Sequence, residues 1–152
     1  MMRIAIVYTS VTGNTKELAE LVQQSFIARS IDVDFFPVNQ FPLDSILEYD
    51  AIAIGTYTWG NGIIPKEMMD LFKQIEVVDT THITTAVFGT GDSFFPYFCG
   101  AVDLFRDMLY VHTNLAVTMK VELRPQLEDI AKCSRFVDCL LEHVRQELDI
   151  VG

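Results

Sequence analysis

Ser10-Val11-Thr12-Gly13-Asn14-Thr15 stands between the apolar run Ile4–Tyr8 and a stretch whose apolar residues recur as Leu18, Leu21, Val22 and Phe26. A short apolar strand, a turn through glycine and an amphipathic helix make the opening of a βαβ unit. The turn itself has the composition of a phosphate cradle. Hydroxyls of Ser10, Thr12 and Thr15 and the amide of Asn14 can donate to phosphate oxygens, and Gly13 lets the backbone turn its own N–H groups inward. The positive end of the following helix dipole points to the same place. Lys16 falls after the turn, so the run lacks the Gly-Lys-Ser/Thr that a Walker loop needs for Mg²⁺ and the outer phosphates. Neutral donors alone predict a terminal monophosphate as the ligand group, not a triphosphate.

The same alternation continues outward along the chain. Apolar runs at 3–8, 33–36, 51–55, 84–88 and 115–119 read as buried parallel strands, with helical periodicity in most of the gaps. A helix is expected after Pro65 with Met68, Met69 and Phe72 inward, and another with Val102, Phe105, Met108 and Leu109. The last helix, after Pro125, repeats Val137, Leu140, Leu141, Val144 and Leu148. Residues 40–49, with Pro42 and a short apolar turn, carry the weakest pattern. Right-handed crossovers then give an α/β fold: a single domain over 1–152, with a doubly wound five-stranded parallel sheet and helices on both faces. Ligands of such sheets sit beyond the carboxyl ends of the strands where the winding reverses. Three loops leave those ends: the Ser10 loop, the loop 56–62 and the loop 89–100. The last two carry aromatic residues at turns that face solvent, which a flat aromatic ligand would explain.

A chain of 152 residues, half of them apolar, supports one core. The apolar run after Arg3 is too short for a signal-peptide core, and no stretch of eighteen apolar residues occurs, so a soluble, cytoplasmic protein without a membrane span is expected. A net charge of -10 argues against nucleic-acid and anionic-membrane partners, which need clustered Lys and Arg. A basic protein partner suits that charge, as does simple solvation of helix faces. Cys99, Cys133 and Cys139 are odd in number, and neither they nor His82, His112 and His143 have metal-ligand spacing, so neither a disulfide framework nor a structural metal is expected. Cys99 reads better as a small buried hydrophobe than as a redox thiol.

The three loops together resemble flavodoxin, of the short-chain type, and the match covers essentially the whole chain. It rests on Ser-x-Thr-Gly-Asn-Thr, on Thr58-Trp59-Gly60, and on Phe88-Gly89-Thr90-Gly91-Asp92-Ser93 running on to Tyr97-Phe98-Cys99-Gly100-Ala101-Val102-Asp103. The resemblance implies the strand order 2-1-3-4-5 with FMN at the switch point, an arrangement for which flavodoxin is itself the reference case. It implies that Ser10, Val11, Thr12, Gly13, Asn14 and Thr15 hold the FMN phosphate, with Thr58 completing the pocket. The ring would lie between Trp59 and an outer aromatic. Phe95 stands where that residue is usually Tyr, although the residues alone do not separate Phe95 from Phe94. Asp92 and the backbone of Cys99 match contacts to the pyrimidine edge, with Asp92 as a mere turn cap the competing reading. Tyr57, Thr90, Gly91, Tyr97 and Phe98 complete the implied set, with no catalytic residue and no metal ligand.

The family's chemistry further implies that the Gly60–Asn61 peptide rotates on reduction, so that the Gly60 carbonyl accepts the N5 proton of a neutral semiquinone. Glycine makes such a rotation easy. Asn61 stands in place of the usual Asp, and Gly62 follows it. The second electron would meet a phosphate dianion and acids such as Asp92, with no Lys or Arg in the three loops. Like charges about 4 Å apart repel by roughly 4 kcal/mol at an effective dielectric near 20. A few kcal/mol lowers a one-electron potential by roughly 100–200 mV. The implied function is a low-potential electron carrier, not an enzyme, monomeric, working between a basic-surfaced flavodoxin/ferredoxin reductase and an acceptor enzyme. The alternatives are a quinone reductase on the same fold and a ribonucleotide reductase-activating flavoprotein. A phosphoacceptor receiver fits poorly, since it needs acids where this chain has Thr9-Ser10 and Gly55.

Overall fold

In a computed structural model that describes residues 2–151, the five apolar runs become five parallel strands. They are β1 (Ile4–Tyr8), β2 (Asp34–Pro37), β3 (Ala51–Tyr57), β4 (Thr84–Gly91) and β5 (Asn114–Glu122), in the order β2-β1-β3-β4-β5. The chain leaves β1 toward β2 and then crosses back to β3, so the winding reverses beside β1, as the family resemblance implied. The helices are α1 (Asn14–Ile27), α2 (Met69–Val77), α3 (Gly100–His112) and α4 (Leu127–Val151).

Strand alternation sorts the core into two layers. Ile4, Ile6 and Tyr8 of β1 face α1 and α4, where Leu18, Val22, Phe26, Val137, Leu140 and Val144 close over them. Ala5 and Val7 face the opposite layer, built by α2 and α3 with Leu71, Ile75, Val102, Phe105 and Leu109. A sheet covered on both faces demands apolar residues at every position of its central strands, and β1 is buried throughout.

Three details differ from the sequence reading. The strands β3, β4 and β5 run two or three residues past their apolar runs, because backbone pairing continues through Thr56↔Gly89, Tyr57↔Thr90 and Gly91↔Glu122. Main-chain ladders do not need apolar side chains, so threonine and glycine extended β3 and β4, and Lys120 and Glu122 extended β5, without announcing it. The inward residues are Met68, just before α2, and Leu71 and Ile75 within it, with Phe72 partly packed, while Met69 is only half-buried. A 3₁₀ turn at Lys66–Met68 precedes α2 and shifts the phase of the periodicity. The weakly patterned crossover between β2 and β3 is two short 3₁₀ helices, Val38–Gln40 and Leu43–Glu48, with Phe41 and Ile46 buried beneath them. Among the described residues no helix is long and apolar enough to cross a membrane.

Candidate functional site

The Ser10 loop, the loop after β3 and the loop after β4 leave the carboxyl ends of central strands and converge beside the point where the winding reverses. In the first, Gly13 takes φ 96, a left-handed conformation, although a Cβ there would meet nothing within 4 Å. Backbone conformation, not space, calls for glycine at this turn. The Ser10 hydroxyl oxygen accepts the Gly13 N–H at 3.2 Å and the Thr12 hydroxyl accepts the Asn14 N–H at 3.5 Å. In both bonds the oxygen is the acceptor, so the hydroxyl hydrogens of Ser10 and Thr12 stay available to an incoming anion. Thr15 is buried, its hydroxyl 2.7 Å from that of Thr90, which fastens the first turn of α1 to the end of β4.

The second loop is a tight turn closed by reciprocal bonds between Trp59 and Ile63, 2.9 Å from the Trp59 N–H and 2.8 Å from the Ile63 N–H. Thr58, just before it, accepts the Ala101 N–H at 3.2 Å, which ties the loop to the start of α3 and leaves the Thr58 hydroxyl hydrogen free. Gly60 and Gly62 both have positive φ, 52 and 89. A Cβ on Gly62 would lie 2.7 Å from the Tyr97 Cβ, so the second and third loops touch backbone to side chain.

In the third loop the Asp92 carboxylate accepts the Phe94 N–H at 2.9 Å, and the Ser93 hydroxyl donates to Glu122. Asp92 thus caps its own turn while also facing the cleft. Phe94 projects outward, 87% exposed, with its ring edge-on to Phe95 at 5.9 Å. Cys99, buried, leads into α3 in a left-handed conformation, and burial pushes its thiol up to about 11. A thiol that stays protonated at neutral pH is a poor nucleophile, which leaves Cys99 as a packing residue.

Between these loops lies a cleft of two lobes. One, of about 370 Å³, is lined by Trp59 and Gly60 of the second loop and by Phe95, Tyr97 and Cys99 of the third. The second, of about 250 Å³, is lined by Val11, Thr12 and Asn14 together with Tyr57, Thr90 and Leu123. Thr58, Trp59, Gly91 and Asp92 border both lobes. Among the described residues no Lys or Arg lines either. One lobe therefore offers aromatic walls and the other offers neutral hydrogen-bond donors, side by side.

Several expected residues lie elsewhere. Ser10 opens onto a neighbouring cavity of about 450 Å³ shared with Lys16 and Glu67. Gly13 and Thr15 shape the first loop from behind, Asn61 points to solvent, and Gly62 serves the contact with Tyr97. Phe98 is half-buried against the α2–α3 layer, its ring 5.9 Å from the Lys120 Nζ, and does not line the cleft. Between the two phenylalanines left open by the sequence, Phe95 lines the cleft and Phe94 does not. Leu123, which lines the cleft, and Glu67, which lies beside it, escaped the sequence reading. Leu123, held by its N–H to the Gly91 carbonyl at 2.7 Å, follows a strand that ran longer than its apolar run. Glu67 accepts hydroxyls from both Thr9 and Tyr57, a contact with no local signature.

Comparison with known proteins gives a consistent result. A family model described as Flavodoxin matches residues 6–132. The chain is 36% identical over 140 residues to "Probable flavodoxin 1" of Bacillus subtilis, covering 90% of this chain and 88% of that protein. It is similar to the crystal structure of oxidised Flavodoxin 2 from Bacillus cereus, with a TM-score of 0.86, 36% identity, and 92% and 98% of the two chains covered. It also superposes on a short-chain flavodoxin associated with a non-canonical PDU bacterial microcompartment, with a TM-score of 0.89, 28% identity, and 95% and 99% covered.

Proposed function

Because the chain belongs to the flavodoxin family, we propose that its two-lobed cleft holds FMN non-covalently and that the protein carries electrons singly, at low potential, from a reductase to acceptor enzymes. The observation that supports this reading is the division of labour within the cleft: neutral donors at one end and aromatic walls at the other. Thr12, Asn14 and Thr58 would receive the phosphate, with Ser10 and the backbone of Val11 and Gly13 around it. Trp59 and Phe95 would cover the two faces of the ring, with Gly91, Asp92 and the Cys99 backbone at its polar edge. Bound there, the isoalloxazine supplies reversible one- and two-electron chemistry.

The chain's own contribution is to bind, orient and tune. Trp59 and Ile63 pin the ends of the second loop, while the Gly60–Asn61 peptide lies outside that ladder, so the Gly60 carbonyl would be an acceptor for the ring. Glycine at positive φ on either side of Asn61 lets this peptide change orientation cheaply. Asp92 and the net charge of -10 disfavour placing a negative charge on a ring in the aromatic-walled lobe, which no Lys or Arg lines among the described residues. The same charge suits docking of a basic reductase face. The exposed rim, with Trp59, Phe95 and Tyr97, is where electrons would leave, in a monomer working in the cytoplasm with no substrate turnover of its own.

Anaerobic photoreduction of the FMN-loaded protein tests the carrier role. The expected result is a long-wavelength band of one-electron-reduced flavin that grows and then fades. Conversion straight to the fully reduced flavin would overturn it. The phosphate assignment has its own test, since a hydrogen bond to a charged group contributes about 1.5–3 kcal/mol. Thr12→Ala should weaken FMN about tenfold or more and leave riboflavin affinity unchanged. Equal losses for the two ligands, measured by fluorescence titration, would remove Thr12 from the phosphate site.

A further inference from the structure

Glu67 lies outside the cleft, on the 3₁₀ turn ahead of α2, yet one of its oxygens gathers hydroxyls from two of the three loops that build the site. Thr9 Oγ1 donates to Oε2 at 2.7 Å, and the Tyr57 hydroxyl donates to the same oxygen at 2.8 Å. Thr9 is the first residue beyond β1 and starts the loop that reaches Gly13; Tyr57 is the last residue of β3 and immediately precedes Thr58 and Trp59. Thr9 is buried, and its N–H is held by the Gly55 carbonyl at 3.0 Å, so β3 anchors its main chain while Glu67 anchors its side chain.

We propose that Glu67 is a positioning residue, which by holding Thr9 and Tyr57 on a single oxygen sets the spacing between the phosphate-holding loop and the ring-stacking loop. This rests on the reading of the cleft as an FMN site. The charge state supports it: burial raises the Glu67 carboxyl, but hydroxyl and backbone donations outweigh that and hold it below the usual range. The Tyr57 phenol is pushed up to about 12, by burial first and then by Glu67. Both donors keep their hydrogens at neutral pH. An anion beside the first loop works against phosphate binding, since charges closer than about 10 Å are only partly screened. The contribution of Glu67 must therefore come from geometry and not from charge.

Substitution separates the two. A glutamine keeps an acceptor oxygen and removes the charge, whereas alanine removes both. Glu67→Gln is expected to bind FMN at least as tightly as the parent, and Glu67→Ala about tenfold more weakly than Glu67→Gln. Thr9→Val alone should weaken FMN severalfold while leaving riboflavin within about twofold, because Thr9 leads only into the phosphate loop; added to Glu67→Ala it should cause no further loss. In the flavin-free protein, amide hydrogens of residues 10–13 should exchange faster in Glu67→Ala and at the parental rate in Glu67→Gln. Equal behaviour of the alanine and glutamine variants in both measurements, or additive losses with Thr9→Val, would overturn the proposal. A parent protein that binds no flavin would instead sink the FMN reading, with amide exchange still able to judge Glu67.

Discussion

Trp59→Ala should weaken flavin binding on the order of a hundredfold and barely change the stability of the flavin-free protein. The indole is 59% exposed although it stands at the mouth of an apolar lobe, so it contributes little to the core before a ligand arrives. A ring laid against it would cover about 75 Å² of one face, worth roughly 2 kcal/mol at about 25 cal/mol per Å². Offset stacking of two aromatic systems adds about 1 kcal/mol. Together these give about 3 kcal/mol, or roughly two decades of affinity. The loop itself survives the change, because its closure uses the main chain of Trp59 and Ile63 and the conformations of Gly60 and Gly62. Trp59→Phe should recover most of the loss. FMN and riboflavin should suffer alike, in contrast to Thr12→Ala, since stacking does not sense the phosphate. Titration by flavin fluorescence checks this. Affinity within threefold of the parent would show that the ring does not rest on Trp59, and a large drop in unfolding free energy would show that the indole is a core residue after all.

That prediction draws on features the sequence carried well and on others it did not. The first βα unit was legible because its signals are local: an apolar run, a glycine at the turn, and Leu18, Val22 and Phe26 recurring along one helical face. A doubly wound parallel sheet followed once five such runs alternated with helices, whereas the strand order came only from the family resemblance; the three loops followed from the strand ends. The strand ends themselves were blurred. Threonine and glycine carry β3 and β4 as far as Tyr57 and Gly91, and β5 reaches Glu122, which brings Leu123 to the cleft. A 3₁₀ turn put Met69 off the expected face of α2. Phe94 and Phe95 are neighbours in a turn without periodicity, so nothing local in the sequence separates the outward ring from the one that lines the cleft. Glu67 was out of reach for a different reason. Its bond to Thr9 spans 58 positions, and pairing at that distance leaves no trace in one sequence.

Adding a single methyl group at Gly89 is expected to lower stability by about 3 kcal/mol or more, within the range in which overpacked cores lose their fit. Gly89 lies in β4 between Thr56 of β3 and Lys120 of β5. A Cβ there would stand 2.4 Å from the Thr56 carbonyl oxygen and 2.4 Å from Val102 Cγ2. Neither neighbour can yield easily. The carbonyl belongs to a ladder flanked by strands on both sides, and Val102 is buried in the first turn of α3. The strain must then move α3 away from the sheet, and with it the Ala101 N–H that Thr58 accepts at 3.2 Å. The site should loosen together with the fold. For a domain of this size each kcal/mol shifts the melting temperature by about 2–4 °C, so Gly89→Ala should melt roughly 6–12 °C lower, with flavin affinity reduced in parallel. Val102→Ala placed in the same chain should restore only part of the loss, because it clears the side chain and leaves the Thr56 carbonyl in place. Urea unfolding of the parent and the two variants measures this directly. Full recovery in the double variant would mean that β3 and β4 can part enough to admit a methyl, and a Gly89→Ala protein within 1 kcal/mol of the parent would mean that α3 and β3 leave room for a methyl at Gly89.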